Sequence, residues 1–276
     1  MSNNSEKRRE LAQETLNIIQ DGEYTVDGKI VDIADAVSFS REHSVLISQS
    51  EAQKLGENLL PKSGNIINEV INCSTLEAIL QMGGKQITNI GVLNFASAKN
   101  PGGGFLNGAL AQEESLAVAS TLYDSQISCP AYYEVNREYK SMMYTDTAIW
   151  SPNVVFFRND SGNLCQEPVK ASVLTLPAVN YGQVILKGED TDIAEQIMFQ
   201  RMKIALSIFA KQESKVLILG AYGCGVFKND PKKISAWWKE LLSAYGGYFD
   251  KVVFAILGRT KTQDTIKIFQ DNFKNI

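Results

Sequence analysis

From residue 66 onward, short apolar runs alternate with segments of helical period. Residues 92–96, 171–176, 216–219 and 252–257 are apolar without strict alternation, the pattern of interior strands covered on both faces. Between them, helical patterns run at about 108–123, 191–210, 232–245 and 262–271. Residues 147–149 and 154–157 read as two further apolar runs separated by Ser151-Pro152. Upstream, residues 5–20 form a helical pattern with Leu11, Thr15, Ile18 and Ile19 on one broad face. Asp27-Gly28 marks a tight turn between 24–26 and 30–33, a small hairpin. A polar, turn-rich stretch follows to about residue 50. The pattern predicts an α/β fold: a largely parallel or mixed sheet with helices on both faces. Without repeat, low-complexity tract or linker, residues 1–276 are expected to form a single domain, with 1–65 as an accessory, mainly helical extension packed on the core.

Composition supports a sizeable core: of 276 residues, 44% are hydrophobic and 21% charged. The net charge of -4 excludes a broad basic nucleic-acid surface. Anion binding must therefore come from backbone N–H groups or a few placed side chains. Cys73, Cys129, Cys165 and Cys224 lack metal-ligand spacing and are expected to be thiols of a reducing compartment. No apolar run approaches the ~18 residues of a membrane span, so the expected location is the cytoplasm. The single histidine, His43, excludes a multi-histidine metal centre, and its polar surroundings suit a surface or capping role. Hydrolysis by this chain would run on carboxylates.

Two glycine-rich segments stand at strand ends, where α/β sheets commonly bind ligands. After 92–96 comes Lys99-Asn100-Pro101-Gly102-Gly103-Gly104, then Gln112-Glu113-Glu114. If Asn107 caps a helix starting near Gly108, Leu110, Glu114, Ala117 and Val118 share one face. Glu114 then faces inward, where a carboxylate must be paired, hydrogen-bonded or shifted toward the acid form that suits a general acid, while Glu113, roughly 100° around the helix, points sideways. The plain alternative makes both glutamates first-turn residues favoured by the helix dipole. After 216–219 comes Gly220-Ala221-Tyr222-Gly223-Cys224-Gly225-Val226-Phe227, with Asp230 and Pro231 fitting the cap and first position of the next helix. Phe227 either packs in the core or offers a platform to an aromatic base or ribose. Cys224, without a histidine partner, reads as packing. The segments fit neither an ATPase phosphate loop nor a dinucleotide fingerprint. Two glycine loops and a carboxylate helix suggest a diphosphate held beside a glycosidic bond.

Gly102-Gly103-Gly104, seven residues and Gln112-Glu113-Glu114 resemble the signature of the poly(ADP-ribose) glycohydrolases, in their compact bacterial and fungal branch. The resemblance extends from Asn94-Phe95-Ala96-Ser97-Ala98 through 144–160, 172–180 and 220–231, and touches Arg8, Arg9, Thr15 and Ile18. It implies a three-layer macrodomain-like sandwich extended at its N-terminus. It also implies hydrolysis of ribose–ribose O-glycosidic bonds, from the chain end, releasing ADP-ribose. By that resemblance Glu114 is the catalytic acid, Glu113 positions ribose hydroxyls and Gln112 supports the same element. Asn94 contacts the ribose beside the scissile bond. Gly102, Gly103 and Gly104 form the diphosphate-side loop, and Gly223, Cys224, Gly225, Val226 and Phe227 form the second loop, with Phe227 stacking. No cofactor or metal is expected, and the partners are poly(ADP-ribose) or ADP-ribosylated macromolecules, without membrane or DNA, bound by a monomer. Two alternatives share the motifs: a hydrolase of mono-ADP-ribose on protein or nucleic acid, and a module that binds ADP-ribose without cleaving it.

Overall fold

The computed structural model describes residues 2–85, 87–258 and 263–274. Helix α1 (Ser2–Asp21) leads into a hairpin of β1 (Glu23–Val26) and β2 (Lys29–Asp32), turned at Asp27 and Gly28, both at positive φ. The stretch expected to be turn-rich is instead structured. It forms α2 (Ala34–His43), the short strand β3 (Val45–Ile47) and α3 (Gln49–Asn58). Its polar surface hides a few anchors: α2 buries Val37 and Ser40, and Ser48 caps α3 in a reciprocal capping box with Glu51. The expected surface role of His43 holds, since it is exposed, with its ring stacked on Phe39.

The central part runs through β4 (Ile67–Ile71), α4 (Thr75–Gly84), β5 (Ile90–Phe95), α5 (Gln112–Ala119), α6 (Leu122–Ile127) and α7 (Pro130–Glu138). Two long strands follow, β6 (Ala148–Arg158) and β7 (Leu164–Leu176). The two runs expected around Ser151-Pro152 are thus one strand. Its pairing with β7 shifts between Ser151 and Val154, so a bulge absorbs the proline that cannot donate to a regular ladder. The chain closes with α8 (Tyr181–Leu186), α9 (Thr191–Lys211), β8 (Val216–Leu219), α10 (Pro231–Tyr245), β9 (Lys251–Ala255) and α11 (Gln263–Phe273). Residue 262, where the last helical pattern was expected to begin, lies outside the described residues. Asp230 caps α10 by accepting from the Lys232 N–H at 2.9 Å, as the sequence suggests.

Seven strands form one mixed sheet in the order β3-β6-β7-β5-β8-β9-β4. β3, β6 and β7 pair antiparallel, and β7, β5, β8, β9 and β4 pair parallel. Alternation along the strands divides the core. Leu93, Leu174, Leu217 and Phe254 pack with α9, α10 and α11 on one face. Val92, Val173, Ile218 and Val253 pack with α4 and α5 on the other. Parallel neighbours bring the C-terminal ends of β5, β7 and β8 to one rim, and both glycine segments leave from that rim.

The antiparallel side is tied to the helices by one buried cation. Arg201 of α9 donates from Nε to Asp146 Oδ1 at 2.9 Å. Its remaining donors reach the carbonyls of Met143, Pro177 and Tyr144. The side chain is 1% exposed, so its charge depends on these partners. Removing one partner of such a pair strands the other in a dry site, typically at a cost of ~3–5 kcal/mol. Arg201→Ala is therefore expected to lower the unfolding free energy by about 3 kcal/mol or more in urea titrations, and a loss under ~1 kcal/mol would contradict the pairing's role.

Candidate active site

β5 ends in Asn94 and Phe95, whose side chains leave the sheet on opposite faces. Phe95 faces the second glycine segment and meets Tyr222 with ring centroids 5.5 Å apart. Asn94, fully buried, faces α5. Its Nδ2 donates to Glu113 Oε1 at 3.0 Å, and its Oδ1 is buried without a hydrogen-bond partner. The Ser97 N–H donates to Glu113 Oε2 at 2.6 Å, and Gln126 Nε2 of α6 donates to Oε1 at 2.9 Å. Gln126 then accepts the Gly102 N–H at 2.7 Å. One buried glutamine thus joins the acidic pair's helix to the glycine turn.

The sequence placed the buried acid one residue too late. Glu113, not Glu114, is the buried carboxylate, 3% exposed. The helix does not begin near Gly108. Residues Phe105–Asn107 make a 3-10 turn, Gly108 sits at φ +74° and Ala111 is extended. Leu110 therefore drops out of the apolar stripe and is 52% exposed, while α5 buries Glu113, Leu116, Ala117 and Ala119. The expected cap Asn107 lies within the 3-10 turn and no side chain caps α5. The expected helix to 123 also breaks, because Ser120 is extended and bridges to Phe156. Burial pushes the Glu113 carboxyl up from 4.5 to about 7. Its three donors pull against that shift, and the neighbouring Glu114 adds to it.

Glu114 is half-buried, and its Oε1 accepts the Gly104 N–H at 2.9 Å. This closeness explains the glycine at 103: it stands at φ +61°, and a methyl there would collide with the Glu114 carboxylate. Gln112 braces the other side of the turn. Its Oε1 accepts from the Phe95 N–H and its Nε2 donates to the Leu93 carbonyl, both at 2.8 Å, so it fills the hydrogen bonding of a strand end. α1 supports the same turn from outside. Arg8 Nε donates to the Gly108 carbonyl at 2.6 Å, and Thr15 Oγ1 to that of Val118 at 2.5 Å.

The second glycine segment bends at Gly223, φ +72°, where a methyl would come within 2.7 Å of Ala178 Cβ. Asn229 closes the loop by donating from Nδ2 to the carbonyls of Val179 and Gly223. Val226 at its tip is 77% exposed. Phe227 is half-buried, and its ring lies 6.0 Å from that of Tyr144. Burial pushes the Cys224 thiol up to about 12, which suits packing and not attack.

A cleft of about 360 Å³ runs between the two segments. Gln112, Gly223, Cys224, Gly225, Val226 and Phe227 line it, as does Phe95. Asn94, Glu113 and the three glycines at 102–104 do not; they form the hydrogen-bonded block beside it. Glu114 borders a second, smaller cavity that shares Leu110 and Ser115 with the cleft. No three Cys, His, Asp or Glu side chains cluster as metal ligands among the described residues. No helix among them is long and apolar enough to cross a membrane.

Against known families, residues 12–159 match the model of the microbial-type PARG catalytic domain, PARG denoting poly(ADP-ribose) glycohydrolase. The chain belongs to the microbial-type PARG family. No curated protein sequence gave a significant match. The solved poly(ADP-ribose) glycohydrolase of Thermomonospora curvata is 34% identical, with a TM-score of 0.92 over 97% of this chain and 100% of that one. The same relative bound to the inhibitor ADP-HPD aligns with a TM-score of 0.91 at 34% identity over the same shares. The Deinococcus radiodurans poly(ADP-ribose) glycohydrolase in complex with ADP-ribose is 35% identical, with a TM-score of 0.81 over 91% of this chain and 99% of that one.

For a PARG-family chain, sequence reasoning missed Phe95, Ser97 and Gln126. Phe95 had a usable signal, since it follows Asn94 at a strand end and must face the opposite side. Gln126 had none: it lies 13 residues beyond Glu113 on another helix. The raised Glu113 pKa has a definite consequence for stability. A carboxyl that is more basic when folded favours the folded state below pH 4.5, and that contribution is lost as pH rises through about 7. Denaturation across this window is expected to show wild-type stability falling with pH more steeply than in Glu113→Gln; parallel profiles would contradict it.

Proposed function

We propose that this chain hydrolyses the ribose–ribose O-glycosidic bonds of poly(ADP-ribose) and releases ADP-ribose, as expected of its family. The observation that carries the reading is the pairing of an uncharged cleft, floored by a glycine loop, with a half-buried carboxylate bonded to a glycine-turn N–H. ADP-ribose divides in the same way. Its adenosine offers an aromatic face and apolar ribose edges, suited to Phe227 and Phe95. Its diphosphate suits the main-chain N–H groups of Gly223, Gly225 and their neighbours.

In the proposed reaction Glu114 donates a proton to the leaving ribose oxygen as the glycosidic bond breaks. Positive charge develops at the anomeric carbon, and the substrate's own diphosphate lies close enough to favour it. Water then attacks that carbon and gives its proton to Glu114, which restores the starting state. Glu113, held by Asn94, Ser97 and Gln126, fixes the first turn of α5 and with it the position of Glu114. No step requires a metal, and turnover is expected to persist in chelator; its loss there would contradict that part of the reading.

The same reading describes the whole chain as one three-layer macrodomain-like sandwich with residues 1–65 as an extension. In support, α1 braces the glycine turn through Arg8 and Thr15. It places a monomer in the cytoplasm, cutting at polymer ends. A cleft bounded by two loops favours a terminal unit over the middle of a polyanion.

Two outcomes are expected. Glu114→Gln is expected to reduce ADP-ribose release from labelled polymer by ~10²–10⁴-fold, the usual worth of acid–base assistance, while ADP-ribose affinity is retained. Equal turnover by the two proteins would remove Glu114 from the chemistry. Phe227→Ala is expected to weaken ADP-ribose binding by roughly tenfold, about the worth of one aromatic contact, in calorimetric titration. Unchanged affinity would take Phe227 out of the contact.

A further inference from the structure

The second cavity, of about 260 Å³, has a charge character unlike the cleft. Among the described residues, no charged side chain lines the cleft. Lys7, Arg8 and Arg158 line the second cavity, with Glu114 and Asp160 as its acidic members. Three cations and two acids line it, a surplus of one cation before the pairing of Arg158 with Glu14 is counted. Their settings differ. Arg158 is 2% exposed, pairs with Glu14 at 3.0 Å and keeps one buried guanidinium nitrogen, Nη2, without a partner. Arg8 uses its Nε on the Gly108 carbonyl and so stands fixed over the glycine turn. Lys7 is exposed at the rim. Asp160 is engaged by the Ser74 hydroxyl at 2.6 Å.

The geometry points to this cavity as the leaving-group subsite: it receives the diphosphate-bearing nucleotide unit from which the terminal ADP-ribose is cut. The inference rests on the hydrolase reading above and extends it. The terminal unit fills the uncharged cleft, and Glu114 protonates the oxygen that departs with the next unit. That unit must therefore lie on the side of Glu114 away from the cleft, which is where the second cavity opens. It brings another doubly charged diphosphate. The first diphosphate is served by main-chain N–H groups; the second meets cationic side chains of α1 and β6. α1 thereby contributes preference for an anionic leaving group over a neutral one. Rim charges of this kind act mainly on capture of substrate, and their effect fades with salt.

The test compares two substrates, poly(ADP-ribose) and an ADP-ribosyl glycoside whose leaving group is a neutral alcohol. For each protein the quantity read is the ratio of kcat/KM on polymer to kcat/KM on the neutral glycoside. Lys7→Glu is expected to lower this ratio about fivefold or more at low salt, with the difference shrinking at high salt, and Lys7→Arg is expected to restore it. A ratio unchanged in Lys7→Glu, with wild type active on polymer, overturns the subsite and leaves the hydrolase reading standing. Wild type that releases no ADP-ribose from polymer overturns the hydrolase reading itself. Lys7 is exposed on the first turns of α1, so circular dichroism of the variant is expected to match wild type.

Discussion

The Glu113 carboxylate is the joint on which the rest of the site depends. It is fully enclosed, and three donors from three separate segments converge on it: Asn94 at the end of β5, Ser97 in the following loop, and Gln126 on α6. A buried carboxyl costs free energy unless its oxygens are satisfied, so these segments are held to one arrangement. Through Gln126 the constraint passes to Gly102, and through the backbone of α5 it reaches Glu114. The half-buried acid is therefore positioned by its buried neighbour.

This arrangement divides the labour between two adjacent residues of identical chemistry. Glu113 has its lone pairs largely committed within the protein and a pKa raised to about 7 by burial. Glu114 has one turn N–H and an open cavity. Residues one apart on a helix cannot share an environment, so a helix that begins beside a glycine turn produces one structural and one outward carboxylate. The glycines are needed because the turn runs against the acid itself: a side chain at 103 would occupy the space of the Glu114 carboxylate.

Much of the fold was legible because interior strands and long helices carry strong periodic signals. β8 and the cap of α10 at Asp230 follow from local residue types alone. The helices of 34–58 were not legible, because their exposed faces are polar and only a few positions, such as Val37 and Ala52, are buried. Both glycine segments and the acidic pair stood out by spacing. Which glutamate turns inward did not, because that depends on Asn94 and Gln126 arriving from elsewhere in the chain. Leu110 misled for a related reason: an apolar residue beside an open cleft extends the helical pattern in sequence without joining the helix.

The sheet order has a consequence for how the molecule is assembled. β4 stands at one edge and pairs only with β9, Ile71 lying opposite Ala255. During synthesis β4 leaves the ribosome long before β9, and it stays unpaired until β9 has emerged. Joining parallel strands across so long an intervening segment carries a large closure entropy and is intrinsically slow. Ala255, Ile256 and Leu257, which finish one wall of the cleft, belong to that same late segment. That wall is thus completed only once β9 has emerged and joined the sheet, so the cleft is closed by a contact far apart in sequence.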